Sequence, residues 1–103
     1  PSTRLEEAQK AISVSEEKVE QEFQRTANSW LACFGSRVFV IETLLYGKKA
    51  EDELGSEKYH DLQEKMEALK QRLFDLNQQY PDKSTVPPED MKRELFRLLN
   101  ELI

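Results

Sequence analysis

The sequence predicts an all-α protein: an antiparallel three-helix bundle whose long first helix extends as a coiled coil. Three observations carry that prediction. Apolar residues recur at steps of three and four from Leu5 to Leu45, the period of one helix face. A second stretch, from Tyr59 to Tyr80, holds a heptad pattern. Helix breakers are few, with three glycines and four prolines, and Pro81, Pro87 and Pro88 fall in one connector.

The first stripe consists of Leu5, Ala8, Ile12, Val19, Phe23, Ala27, Trp30, Phe34, Val38, Ile41 and Leu45, with a polar slip at Ser15. Thr3 followed by Glu6 has capping-box spacing, and Glu6 and Glu7 make the first turn acidic, as a helix N-terminus favours. Ser13 followed by Glu16 repeats the spacing, which leaves open a kink near residues 13–15 and a separate short helix over 3–12. Gly47 and Gly55, with Lys48 and Lys49, mark the far end. Read without interruption, this helix spans roughly 70 Å at ~1.5 Å per residue.

Residues 30–46 are apolar nearly all round, so that helix is expected to be covered on more than one side. The run Val38, Phe39, Val40 and Ile41 also suits a strand, but the chain offers no second strand to pair with it. The second helix reads Tyr59, Leu62, Met66, Leu69, Leu73, Leu76, Tyr80, with Ser56 as N-cap and Pro81 as terminator, over about 57–80. Its short link to the first helix, holding Glu51, Asp52, Glu53 and Leu54, implies an antiparallel hairpin. After residues 81–87, Pro88 fits the first position of a last helix, and Glu89 and Asp90 complement its dipole. Met91, Leu95, Leu98 and Leu102 form one face of that helix, and Phe96, Leu99 and Ile103 widen it.

Matching helix lengths divides the chain. A second helix running back from residues 45–49 ends beside roughly residue 25, and the third covers roughly residues 25–41 from the other side. The doubly covered region coincides with the segment that is apolar all round. Residues 25–103 are thus expected to form the bundle and residues 1–24 a helical extension. Leu5, Ala8, Ile12, Val19 and Phe23 are left without cover, and with Phe96, Leu99 and Ile103 they are the expected partner interface. The outline is similar to spectrin-type repeats, but the very long first helix and the proline-rich second link depart from them. The chain opens at Pro1 without a methionine, as an excised fragment would.

Chemistry is weakly represented. Cys33, the one cysteine, excludes an internal disulfide framework and suits a reducing, intracellular setting, cytoplasmic or nuclear. As a nucleophile it would need an adjacent base, and the hairpin sets the single histidine, His60, far from it. His60, Asp61 and Glu64 put an imidazole and carboxylates on one helix face, too few ligands for a structural zinc site. No catalytic, cofactor or metal site is therefore expected. A net charge of −5 without a basic patch argues against nucleic acid, and the apolar window at 30–46 is too short and carries Arg37 and Glu42, against a membrane span. Arg37 lies mid-way through that window. It is expected either to reach the surface or a neighbouring helix's acid, or else to meet an acidic partner.

The function these features suggest is non-enzymatic: an assembly module that dimerises or joins a larger protein complex through the N-terminal stripe and the last-helix face. The alternative is a monomeric adaptor that receives an amphipathic helix or short motif in a bundle groove.

Overall fold

A computed structural model of the chain describes residues 3–103. It contains α1 (Arg4–Ser13), α2 (Ser15–Arg25), α3 (Trp30–Leu45), α4 (Lys48–Leu54), α5 (Ser56–Gln79) and α6 (Glu89–Asn100), with no strand among the described residues. All-α is right; one continuous first helix is not. The stretch expected to be a single rod is divided into α1, α2 and α3.

Polar side chains competing for backbone groups account for both divisions. At the first, Ser13 Oγ donates to Lys10 O at 2.8 Å and Ser15 Oγ to Ala11 O at 2.6 Å, flanking Val14 at φ −101°, ψ 4°. The break left open near residues 13–15 is present, although no side chain caps the start of α2. At the second, Thr26 turns extended, and its hydroxyl donates to Glu22 O at 2.9 Å and accepts from Asn28 N at 3.3 Å. Ser29 Oγ then accepts from Ala32 N at 3.1 Å and starts α3.

This second break sends the chain back on itself. Arg4 Nη1 donates to Thr43 O, Arg37 Nη2 to Ala11 O, and Trp30 Nε1 to Glu20 Oε1. Those partners climb α1 and α2 while they descend α3, so α1 and α2 lie antiparallel along it. The expected overhang is therefore covered within the chain. Ala8 and Val19 are wholly buried, Ile12 is buried, and Leu5 and Phe23 are half-buried against the same core as Leu45 and Leu95. Each fully buried aliphatic side chain contributes about 1.5–3 kcal/mol, a gain that an exposed rod would forgo.

Beyond α3, Gly47 at φ +116° turns the chain through 74° into α4, and Gly55 at φ +86° releases it into α5. The link expected between the first two helices thus contains a short helix of its own. Helix α5 buries Leu62, Met66, Leu69 and Leu76 of the heptad pattern, with Tyr59, Leu73 and Tyr80 half-buried. Pro88 caps α6 instead of opening it. Helix α6 buries Leu95 and Leu99, followed by Leu102 past its end, so Leu99 belongs to the core and Leu98 to its margin. The buried side is rotated by one residue from the expected one because α6 packs against α1 as well as α5.

One aromatic cluster ties α3 to α6. Trp30 stacks on Phe34 at 5.7 Å and meets Phe96 edge-on at 5.8 Å, and Phe34 meets Phe96 at 5.3 Å. Lys92 Nζ of α6 lies 5.1 Å from the Trp30 ring centroid and 3.6 Å from Glu20 of α2.

Candidate docking face on α3

Helix α3 is the central element, wrapped by α1 and α2 on one side, by α5 on another and by Phe96 of α6 at its start. It buries Trp30, Leu31, Cys33, Phe34, Val38, Ile41 and Leu45. Its exposed positions are Ala32, Ser36, Phe39, Val40 and Thr43, which fall at helical steps on one face. None of them is charged. The helix has two charged residues, and both make contacts inside the chain: Arg37 with the Ala11 carbonyl, Glu42 with Lys70 of α5 at 2.9 Å.

Beside this face a shallow trough of about 540 Å³ runs between α3 and α5. Gly35 and Val38 of α3 and Leu73 of α5 line it. Phe39 and Phe74 stand at its sides, 65% and 58% exposed, the two most exposed large apolar side chains among the described residues. Gly35 lets the helices come close, since a Cβ there would sit 3.4 Å from the Leu73 side chain. The Glu42–Lys70 pair sits at one end and Asn77 at the other. The hydrogen bond from Lys70 Nζ to Glu42 holds the ammonium above the ordinary lysine range. Just past the end of α3, Tyr46 has its phenol pushed up by burial and then by the Glu42 charge.

No known protein family, characterised protein or solved structure matches this chain.

A cleft of about 560 Å³ between α2 and α3 is lined by Lys18, Gln21, Glu22, Arg25, Asn28, Cys33, Ser36, Arg37 and Val40. Its groups are largely committed already. Arg25 pairs with Glu22 at 2.7 Å, and the buried Cys33 Sγ has the Thr26 hydroxyl 4.0 Å away. A thiol nucleophile needs a base within hydrogen-bond reach, and the lining contains no histidine. His60 pairs instead with Glu64 at 3.2 Å, and Asp61 with Lys65 at 2.9 Å, all on the exposed side of α5. Among the described residues, no three His, Cys, Asp or Glu side chains group closely enough to hold a metal ion. No single helix among them is long and apolar enough to cross a membrane.

The residues expected to form a partner interface are dispersed. Ala8, Ile12, Val19 and Leu99 are core, and Phe96 closes the tryptophan cluster. Ile103 is exposed at the chain's end, over a small hollow it shares with the half-buried Leu5 and with Leu54. Phe23 is half-buried against the core. Arg37 is half-buried in the lining of the cleft between α2 and α3 and pairs with no acid. It donates to Ala11 O at the C-terminal end of α1, where a cation complements the helix dipole, and its Nε is buried without a hydrogen-bond partner. Sequence reasoning missed Phe39 and Phe74. The available signal was Phe74, an aromatic outside the heptad positions of α5, facing a helix already known to be apolar all round.

Proposed function

We propose that this chain is a non-enzymatic protein–protein assembly module that docks through the outward face of α3 and the trough shared with α5, in a reducing intracellular setting that suits its single buried thiol. The observation that supports this reading is the absence of charge on that face, in a chain where 34% of residues are charged. Depletion of charge together with exposed aromatic residues distinguishes the centre of an interface from ordinary surface. The N-terminal stripe first expected to carry assembly is occupied in the core, so the docking role passes to α3.

The adaptor reading, in which the trough receives a helix from another protein, uses the same residues and differs only in the occupant. Site-specific photo-crosslinking in cells tests the shared claim. A photoreactive phenylalanine analogue at Phe39 or Phe74 should join the chain to protein, the same group at the exposed His60 should not, and Ser36→Arg should suppress the product from position 39. Equal labelling from position 60, or none from positions 39 and 74, would refute it.

A further inference from the structure

Resting on that reading, we infer that the docking partner is an acidic amphipathic helix of another protein, whose carboxylates enter the cleft between α2 and α3. Charge is the first argument. The cleft is lined by three cations, Lys18, Arg25 and Arg37, against one carboxylate, Glu22. Arg25 takes Glu22 at 2.7 Å, and neither Lys18 nor Arg37 has an acidic partner among the described residues. Two unmatched cations in one hollow run against the balance of a chain with 20 acidic and 15 basic residues. With a net charge of −5 the chain as a whole disfavours an acidic partner, so a cationic cleft gives such a partner both its place and its orientation.

Hydrogen bonding is the second argument, because what the cleft leaves uncommitted is donors. Arginine presents five N–H groups. Arg37 is half-buried and uses one of them, on Ala11 O at 3.2 Å, while its Nε is buried without a partner. That bond anchors the guanidinium, and a charge-assisted bond to a carboxylate is stronger there than at open surface. The Ser36 hydroxyl and the Asn28 side-chain amide, also in the lining, have no partner within the chain. Position completes the case. Ser36 and Val40 belong both to the cleft and to the outward face of α3, so a helix ~10 Å across laid on that face has one edge over the cleft and the other over the Phe39–Phe74 trough. An extended segment finds no sheet edge to join, since the described residues contain no strand. The occupant is thus a helix acidic along one edge and apolar along the other.

The probe is a fluorescent helical peptide of about 14 residues, four turns, with leucines at steps of three and four and glutamates along one edge, compared with a copy carrying glutamine for glutamate. Anisotropy with the purified chain at about 50 mM salt should show the glutamate peptide binding about tenfold tighter, the gain expected from two ion pairs of which one is half-buried. The preference should shrink at about 500 mM salt as screening rises. Lys18 is exposed, so Lys18→Glu should erase the preference without disturbing the thermal melt. Arg37→Met should cut it by about threefold or more, whereas Lys58→Glu, on α5 outside the cleft, should change it by less than about twofold. Equal binding of the two peptides, or none up to about 300 µM, overturns the acidic helix as occupant, as does a loss from Lys58→Glu equal to that from Lys18→Glu. Binding of inorganic phosphate in the cleft with no binding of the glutamate peptide does the same. If crosslinks to protein from positions 39 and 74 persist in any of those cases, the docking face stands and only its acidic partner falls; if they are lacking too, both fall.

Discussion

Val19→Ala puts the revised role of the N-terminal stripe to a quantitative test. Val19 is fully buried in the chain's own core, on α2 where that helix lies along α3. The substitution removes two methyl groups, worth ~0.8 kcal/mol each in lost transfer free energy. The remaining void adds a further penalty of about 24 cal/mol per Å³, so a partly relaxed cavity brings the total to about 2–3 kcal/mol. For a chain of 103 residues, the usual entropy of unfolding per residue turns this into a fall in melting midpoint of roughly 10 °C. Urea denaturation followed by circular dichroism measures the difference, with Glu16→Ala as an exposed control expected within about 0.5 kcal/mol of the parent. The decisive feature is the dependence on protein concentration. Because Val19 is buried inside one chain, the variant–parent difference should be the same at low and high concentration. A difference under about 0.5 kcal/mol, or one that grows with concentration, would mean that the stripe is covered by another molecule and that the fold-back is wrong.

Three further expectations concern the contacts that hold the helices around α3. Trp30→Phe keeps a ring in the aromatic cluster but loses the hydrogen bond to Glu20, and should cost about 1.5–3 kcal/mol in urea denaturation, in part shared with Glu20→Ala, which removes the acceptor, in a double-mutant cycle. Arg37→Met keeps an apolar stem and deletes a buried, unpartnered Nε, so its stability should stay within about 1 kcal/mol of the parent; a loss above about 2 kcal/mol would show that the bond to Ala11 O outweighs the cost of burying the charge. The Lys70–Glu42 pair is half-exposed and screened, and should contribute under about 1 kcal/mol. Since the folded-state value of Lys70 is raised, that contribution is complete below the ordinary lysine range and fades as pH rises through the raised value. Thermal melts of parent and Glu42→Gln should accordingly converge at high pH, with Lys70→Met separating this effect from the raised Tyr46 phenol that titrates in the same direction.

The all-α class, the heptad helix and the last helix were legible because each rests on a period repeated several times, and α5 begins and ends within one residue of the expected bounds. The breaks in the first stripe were legible only in part. Ala27 kept the helical spacing between Phe23 and Trp30, and that regularity hid the turn built by Thr26, Asn28 and Ser29, in which Ala27 is in fact exposed. The signal was present: Asn28 is a turn former, and Ser29 stands in N-cap position just before a long apolar run. Periodicity reports that positions share a face if the helix is continuous, and says nothing about whether it is continuous. The interface residues were assigned through the same step, because without the turn residues 5–23 had nothing in the chain to pack against.

Once the turn is in place, the balance of covered and uncovered surface reverses. Helix α3 attracts so much of the chain because it is apolar on nearly every side, and α1, α2, α5 and Phe96 take up all of its sides but one. The side left over could have been made an ordinary surface by charged residues, as on α5, where Glu57, Lys58, His60, Asp61, Glu64, Lys65 and Glu67 occupy the exposed positions. On α3 those positions hold Ala32, Ser36, Phe39, Val40 and Thr43, while the helix's two charges serve internal contacts. Phe39 on this face is 65% exposed, and Phe74, 58% exposed, stands across the trough from it. The same excess of apolar surface that draws the N-terminal stripe inward thus leaves one face of α3 exposed.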